Sequence, residues 1–390
     1  MSKDAKRNAF VFVILLGLVS LFADMTYEGA RSVTGPFLAI LGASSLTVGL
    51  VAGLGELLGY ALRLASGFIT DKTRKYWTMT IIGYVINLLA VPALALASHW
   101  ELAAALMIAE RIGKALRNPP RDVMLSHATQ KIGRGWGFGF HEAMDQIGAL
   151  LGPLLVTLIQ IIRGDYRIAF AFLLIPAVLA IATLVCARWL YPRPQDMESI
   201  PKSRALSKTF PRRFWLYLVA IACIAAGYVD YPLIAFHFEK TQTVSREMIP
   251  LLYAIAMGAD AVAALVFGHL FDRHGFPVII ASAVISLFFS PLVFAGTLVS
   301  AIVGMTMWGI GMGAQESIMR AVVADMVTSD RRGRAYGYFN TGYGVAWFLG
   351  SALMGYLYGI SIPLLIAFSM AAQAASIPLV IAVMRRKTPA

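Results

Sequence analysis

Charge is scarce in this chain. Only 14% of its 390 residues are Asp, Glu, Lys or Arg, against roughly 25% in a soluble globular protein. Cysteine is scarcer: Cys186 and Cys223 offer neither a disulfide framework nor the paired spacing of a zinc site, and both read as ordinary buried thiols. The histidines, His99, His127, His141, His237, His269 and His274, are scattered along the chain, so no His-x-x-Glu-His set of a metallohydrolase forms. No Gly-x4-Gly-Lys-Ser/Thr loop is present to cradle a nucleotide. These absences argue against an enzyme, against ATP-driven pumping and against any metal or organic cofactor.

Apolar side chains fill the space that charge leaves. They make up 58% of the chain, and the mean hydropathy is +0.71. One or two water-facing cores cannot hold that surplus, so its natural solvent is a lipid bilayer. A spanning helix takes about 20 mostly apolar residues. Twelve stretches qualify, at roughly 10–38, 46–69, 77–97, 102–124, 136–160, 168–191, 214–236, 249–271, 277–296, 299–325, 335–357 and 362–384. They are continuously apolar, whereas the strands of a membrane barrel alternate apolar with polar. The gaps are short, so the helices pack as up-and-down neighbours. The expected fold is therefore an all-α membrane protein of twelve transmembrane helices.

The formal charge is +12. Such a balance often signals nucleic acid, but its placement here points elsewhere. With the N-terminus in the cytoplasm, basic residues outside the spans gather on one side. They include Lys3, Lys6 and Arg7, Lys72, Arg74 and Lys75, Lys131 and Arg134, the segment from Arg188 to Arg213, Arg273, and Arg331, Arg332 and Arg334, with Arg385, Arg386 and Lys387 at the end. The opposite side holds Arg163, Arg167, Lys240 and Arg246. This positive-inside bias puts both termini in the cytoplasm and needs no nucleic-acid partner. The first apolar run continues into Asp24, Glu28 and Arg31, which suits an uncleaved first helix rather than a signal peptide.

The longest internal polar break, 192–213, carries Pro192, Pro194, Pro201 and Pro211 among basic residues. It divides the chain into a six-helix bundle at 1–191, a cytoplasmic linker, and a second bundle at 214–390. The halves repeat each other. Gly67, Asp71 and Lys72 after span two match Gly268, Asp272 and Arg273 after span eight, and Gly133, Arg134 and Gly137 match Gly333, Arg334 and Gly337. Both matches fall at an offset of about 200 residues, the pattern of a parallel repeat with its substrate site near the membrane midplane.

Gly67, Asp71, Lys72, Arg74 and Lys75 resemble the Gly-x-x-x-Asp-Arg/Lys-x-Gly-Arg-Arg/Lys loop of the major facilitator superfamily, with Thr73 in place of the second glycine. Gly268, Asp272, Arg273 and Gly275 keep part of it. Gly139, Gly148, Gly152 and Pro153 resemble the Gly-x8-Gly-x3-Gly-Pro run in helix five of drug–proton antiporters in that superfamily. Its final glycine pair is missing here, in the neighbourhood of Thr157. The resemblance implies the twelve-helix facilitator fold in two pseudo-symmetric bundles. It implies a cytoplasmic gate in which Asp71 and Asp272 dock at the starts of helices eleven and five, near Gly333–Tyr336 and Gly133–Trp136. It also implies a functional arginine in helix four, matched by Arg111. Lys72, Arg74 and Lys75 lie within reach of Asp122 at the end of span four.

Ionisable groups inside a span cost several kcal/mol and are functional candidates by default. Most lie in the first half. Asp24, Glu28 and Arg31 share a helical face, as do Glu56 and Arg63 with Tyr60 between them. Glu142, Asp145 and Gln146 share another, with His141 one turn below Asp145. His141 reads either as a proton relay or as a structural hydrogen-bonder. Span four presents a basic stripe, with Glu110 beside Arg111, then Lys114, Arg117 and Arg121 beside Asp122. Asn118-Pro119-Pro120 is expected to kink or break that helix. The second half holds Asp230, Asp260, Asp325 and the pair Glu316–Arg320. Tyr228, Asp230 and Tyr231 ahead of Pro232 resemble a gate or binding wall, and Gln315, Glu316, Asn340 and Trp347 are further cavity candidates, alongside Arg31, Glu56, Arg63, Arg111, Lys114 and Arg117.

Two readings of the buried charges stand: a static ion-pair network, or carboxylates that bind and release protons as their pairs rearrange. Asp24, Glu28, Glu142 and Asp145 are the proton-coupling candidates. The expected function is a proton-coupled secondary transporter of the cell inner membrane working by alternating access. It is expected to act as a monomer, with the proton as coupling ion and no other cofactor. It would export a small organic compound, anionic or zwitterionic on account of the basic stripe. Import by proton symport, and a membrane receptor or scaffold descended from a transporter, are the alternatives.

Overall fold

The computed structural model describes residues 3–132, 134–192, 210–326 and 332–385, and within these the side chains of 3–6, 71, 130–132, 134–136, 138, 320, 321, 324, 325 and 332–334 lie outside the description. Most of the expected linker at 192–213 lies outside it too. The described chain is helical, with no strand. The helices are α1 (Lys3–Ile40), α2 (Ser45–Thr73), α3 (Tyr76–Ala93), α4 (Trp100–Ile132), α5 (Arg134–Arg163), α6 (Tyr166–Phe172), α7 (Leu174–Leu190), α8 (Arg212–Gly227), α9 (Tyr231–Thr241), α10 (Met248–His274), α11 (Pro277–Ser286), α12 (Phe289–Val293), α13 (Leu298–Met326), α14 (Arg332–Ile360) and α15 (Ile362–Arg385).

All twelve expected spans appear as helical segments, three of them in two pieces: α6 with α7, α8 with α9, and α11 with α12. Among the described residues nine segments are long and apolar enough to cross a membrane, and Pro277–Val293 is a shorter apolar one. α4 falls outside that group because of its stripe of charges, and α14 because Gly, Tyr and Asn dilute its apolar content. Where the chain must reverse between α1 and α2, Gly42 takes φ +85°, a conformation that costs glycine little. Large apolar side chains such as Leu158, Ile161, Ile162, Leu265 and Val299 are exposed. Faces of that kind are unfavourable in water and suit a lipid solvent.

Two compact units divide the chain: Met1–Val33 with Leu58–Lys202, and Thr34–Leu57 with Ser203–Ala390. The end of α1 and the first half of α2 thus belong to the second unit. There a Cβ on Gly35 would collide with the Pro232 carbonyl, and one on Gly49 with the Ser351 carbonyl. In the first unit α3 packs along α4 and α4 against α5; in the second, α10 packs along α13, and α8 against α14 and α15. The repeat seen in sequence has a packing counterpart. A Cβ on Gly67 of α2 would stand 3.9 Å from Pro119 of α4, and one on Gly268 of α10 would stand 3.9 Å from Ser317 of α13.

α4 decides against a break at its two prolines, one of the two outcomes expected there. Pro119 and Pro120 lie inside it, yet the helix runs through them unbroken. A proline at 120 withholds the N–H that would bond the Leu116 carbonyl one turn back. Ser66 of α2 replaces it, donating to that carbonyl at 2.9 Å. A neighbouring helix supplies the missing donor, which is how membrane helices tolerate proline.

Candidate functional site

The first unit gathers its charges on α1, α4 and α5. Asp24 and Glu28 are buried, with 7% and 8% exposure. Lys114 Nζ lies 3.8 Å from Glu28 Oε1 and 3.8 Å from the centre of the Tyr27 ring. Arg117, 1% exposed, places its guanidinium over two rings, 4.3 Å from Tyr84 and 5.5 Å from Tyr27. The charges acting on Asp24 are Asp145, Lys114 and Arg117, with the Tyr27 hydroxyl bonded to its carboxylate. Asp24 therefore faces a carboxylate from another helix as well as two cations. Asp24 Oδ1, Asp145 Oδ1 and two of the Arg117 nitrogens have no hydrogen-bond partner within the protein. Burying such groups unsatisfied is costly.

Toward the Asp122 end of α4 the cluster continues. Arg121 holds Asp122 through two hydrogen bonds of 3.0 and 2.9 Å and donates to Ser20 Oγ at 3.1 Å. Ser20 Oγ meets His141 Nε2 at 3.1 Å, and that nitrogen is 3.8 Å from Asp145 Oδ1. In the other direction Arg111 pairs with its neighbour Glu110 at 3.2 Å, and Asn87 of α3 donates to Glu110 Oε1 at 2.7 Å. Arg63 lies 5.3 Å from the Tyr60 ring. Glycines let the carriers of these groups come close. A Cβ on Gly148 would collide with the Leu21 carbonyl and one on Gly152 with that of Met25, while Gly113 of α4 leaves room for the Asn87 backbone. Helix-five residues Gly148 and Gly152 thus pack α5 against α1, and Pro153 is buried beside them. Gly139, the first glycine of the same run, has open space around it.

The second unit builds a different site. The seventh span breaks between Gly227 and Tyr231, with Pro232 at the start of α9. The break frees backbone carbonyls, and neutral side chains claim them. Ser369 and Gln373 of α15 donate to Gly227 O at 2.7 and 3.2 Å. Trp308 Nε1 donates to Val229 O at 2.9 Å, Tyr228 donates to the Trp308 carbonyl, and Tyr231 donates to Ile249 O at 2.9 Å. Asp230 does not cap α9 with its side chain. Its Oδ2 instead accepts from Trp347 Nε1 at 3.1 Å. Tyr343 donates to Gln315 Oε1 at 3.1 Å and stands 5.5 Å from Trp347. Asp260 is buried, and with Glu316 it is one of the charges acting on Tyr228.

The structure brings Asp24, Glu28, Lys114, Arg117 and Asp145 together, and separately Tyr228, Asp230, Tyr231, Gln315 and Trp347. Glu142 and Glu316 are exposed, Asn340, Arg31, Glu56 and Arg63 are half-buried, and Lys72, Arg74, Lys75, Asp272 and Arg273 are exposed. Asp122 is held by Arg121. The side chains of Asp71 and Arg320, and most of the residues onto which Asp71 and Asp272 would dock, lie outside the described set. Sequence reasoning missed Ser20, Tyr27, Tyr84 and Trp308, and also Tyr253, whose ring lies 4.1 Å from that of Tyr231. Spacing alone could have found Ser20 and Tyr27, which share the helical face of Asp24.

A family model described as Major Facilitator Superfamily matches residues 13–238 and 216–390. A protein of Mycobacterium tuberculosis with no described function is 41% identical over 382 residues, 96% of this chain and 93% of its own. An MFS-type transporter of Methanocaldococcus jannaschii is 28% identical over 359 residues, 90% of this chain and 89% of its own. Among solved structures, the peptide transporter POT in complex with sulfate superposes with a TM-score of 0.75 at 12% identity, covering 96% of this chain and 93% of that one. That likeness is one of fold. The family match along both halves and the close relative along nearly the whole length lead to one conclusion: the chain belongs to the major facilitator superfamily, and it is a multi-pass membrane transporter of the secondary type rather than an enzyme.

Proposed function

We propose that the protein is a proton-coupled exporter of a small organic compound, working by alternating access in the cell inner membrane with both termini in the cytoplasm. The observation that carries this reading is Asp24, which faces Asp145 as well as Lys114 and Arg117. A carboxylate set beside another carboxylate and two cations holds a proton more readily when the cations turn away and loses it when they return. A substrate or a change of conformation that moves Lys114 or Arg117 therefore moves a proton. Glu28, tied to Lys114, takes part in the same exchange; Glu142, exposed, is the weaker candidate. The close α1–α5 packing at Gly148 and Gly152 supports export, through the likeness of that run to the antiporter pattern.

The chemistry of the first unit favours an anionic or zwitterionic compound, because it offers guanidinium and ammonium groups to an anionic moiety. Lysine and arginine placement supports cytoplasmic termini.

The test is transport by the purified protein in liposomes, with an imposed pH gradient, across a panel of metabolites and drugs. With the first compound that moves, Asp24→Asn and Asp145→Asn should abolish accumulation against a gradient while exchange of that compound continues. If both variants accumulate it as the wild type does, the proton reading is wrong.

A further inference from the structure

His141 sits on α5 with 4% exposure, and its surroundings are not those of a histidine that only packs. Its Nε2 faces two oxygens from different helices, Ser20 Oγ at 3.1 Å and Asp145 Oδ1 at 3.8 Å. Its Nδ1 and Asp145 Oδ1 are both buried without a hydrogen-bond partner in the protein. A structural histidine usually has its buried ring nitrogens bonded. Here one nitrogen serves two oxygens, and the second of them lies a little beyond hydrogen-bond range. The charges facing His141 are Arg117, Arg121 and Asp122 of α4 and Asp145 of its own helix. From α1 it meets the Ser20 hydroxyl, while Asp24 of that helix faces Asp145.

We propose that His141 passes the coupling proton to and from the Asp145–Asp24 pair, and that Arg121, acting through Ser20, is the positioning residue that orients it. This rests on the proton-coupled reading above and names the route by which the carboxylates are loaded. The step balances. The His141 imidazolium, formed when hydronium protonates the ring and leaves water, gives up its Nε2 proton. That N–H bond breaks, an O–H bond forms at Asp145 Oδ1, and the ion pair becomes two neutral groups. The freed Nε2 lone pair then accepts from the Ser20 hydroxyl. Arginine keeps its proton throughout, so Arg121 cannot be a link in the relay. By donating to Ser20 Oγ at 3.1 Å it occupies that oxygen and turns the hydroxyl hydrogen toward the imidazole. Asp122, about half exposed and held by Arg121, ties this end of the chain to the α4 surface.

The experiment needs no substrate. The purified full chain is subjected to a rapid pH drop, and the infrared carbonyl band of protonated carboxylic acid is followed in time. Asp24→Asn and Asp145→Asn assign the band. His141→Gln should reach the same final amplitude at least about tenfold more slowly, in the range of a lost proton-transfer group. Ser20→Ala, which keeps the imidazole, should slow it by a smaller factor, and it carries the test if the glutamine variant does not fold. Unchanged rates in the folded variants overturn the relay while leaving the proton reading intact. A wild type with no band assignable to either aspartate overturns the proton reading and the relay with it. A structural role alone would move the unfolding temperature and leave the rate where it was.

Discussion

The two units bury polar groups by opposite means. In the first, Lys114, Arg117 and Arg121 meet carboxylates and the faces of Tyr27 and Tyr84. In the second, indoles, a hydroxyl and an amide from Trp308, Trp347, Ser369 and Gln373 serve the carbonyls of a broken helix and one carboxylate. The first arrangement stores charge, so its energy changes when a proton arrives. The second is made mostly of neutral dipoles that serve backbone carbonyls. The contrast is one of construction: buried ion pairs in the first unit, a kink lined with aromatic rings in the second.

The largest effect should come from breaking the charge balance. Arg117→Leu removes a buried guanidinium and leaves Asp24 with one cation fewer, a loss of about 3–5 kcal/mol by the usual cost of splitting a buried ionic set. Trp347→Phe in the second unit deletes one donor to Asp230 and keeps the ring, so about 1–3 kcal/mol is expected. Unfolding of both variants in mixed micelles measures the difference. Equal losses, or a larger one for Trp347→Phe, would remove the distinction between the units.

A smaller effect sharpens the contrast by testing what the units have in common. Both bring helices together at glycines whose Cβ would strike a carbonyl: Gly148 and Gly152 in the first, Gly309 and Gly313 in the second, against Ala256 and Asp260. Alanine at any of the four should cost about 1–3 kcal/mol of overpacking. Gly139→Ala has nothing to strike, and the better helix propensity should make it neutral or stabilising by up to about 1 kcal/mol. The same unfolding assay reads both outcomes. A destabilised Gly139→Ala would mean that the whole helix-five run, rather than its last two glycines, packs against a neighbour.

How much of this was legible beforehand differs by element. The spans were, because twenty apolar residues in a row leave few alternatives, and the ends of α10, α13 and α15 fall within a few residues of expectation. The face of Asp24 and Glu28 was legible from spacing along one helix. The meeting of Asp24 with Asp145 was not, since nothing local in α1 or α5 specifies which helix the other faces. The break at Tyr228–Asp230 was only half visible. Pro232 marks a helix start, but the carbonyls it leaves are satisfied by Ser369, Gln373 and Trp308, remote in sequence. At α4 the local signal was ambiguous, because two adjacent prolines argue for a kink or a break, and Ser66 of another helix averts the break.

That rescue supplies the finest comparison. Ser66 donates to Leu116 O in the first unit as Ser369 donates to Gly227 O in the second, yet the two carbonyls were freed for different reasons. Leu116 lacks a partner because residue 120 is a proline. Gly227 lacks one because the helix itself stops. Each serine-to-alanine change alone should cost about 1 kcal/mol. Combined with Pro120→Ala, which returns an N–H to the Leu116 carbonyl, Ser66→Ala should become nearly silent, a coupling of about 0.5–1 kcal/mol in a double-mutant cycle. Combined with Pro232→Ala, Ser369→Ala should keep its full cost, because an N–H at 232 would bond the carbonyl of Tyr228, not that of Gly227. Coupling in the second cycle, or none in the first, would show that the polypeptide satisfies these carbonyls by some route other than the one drawn here.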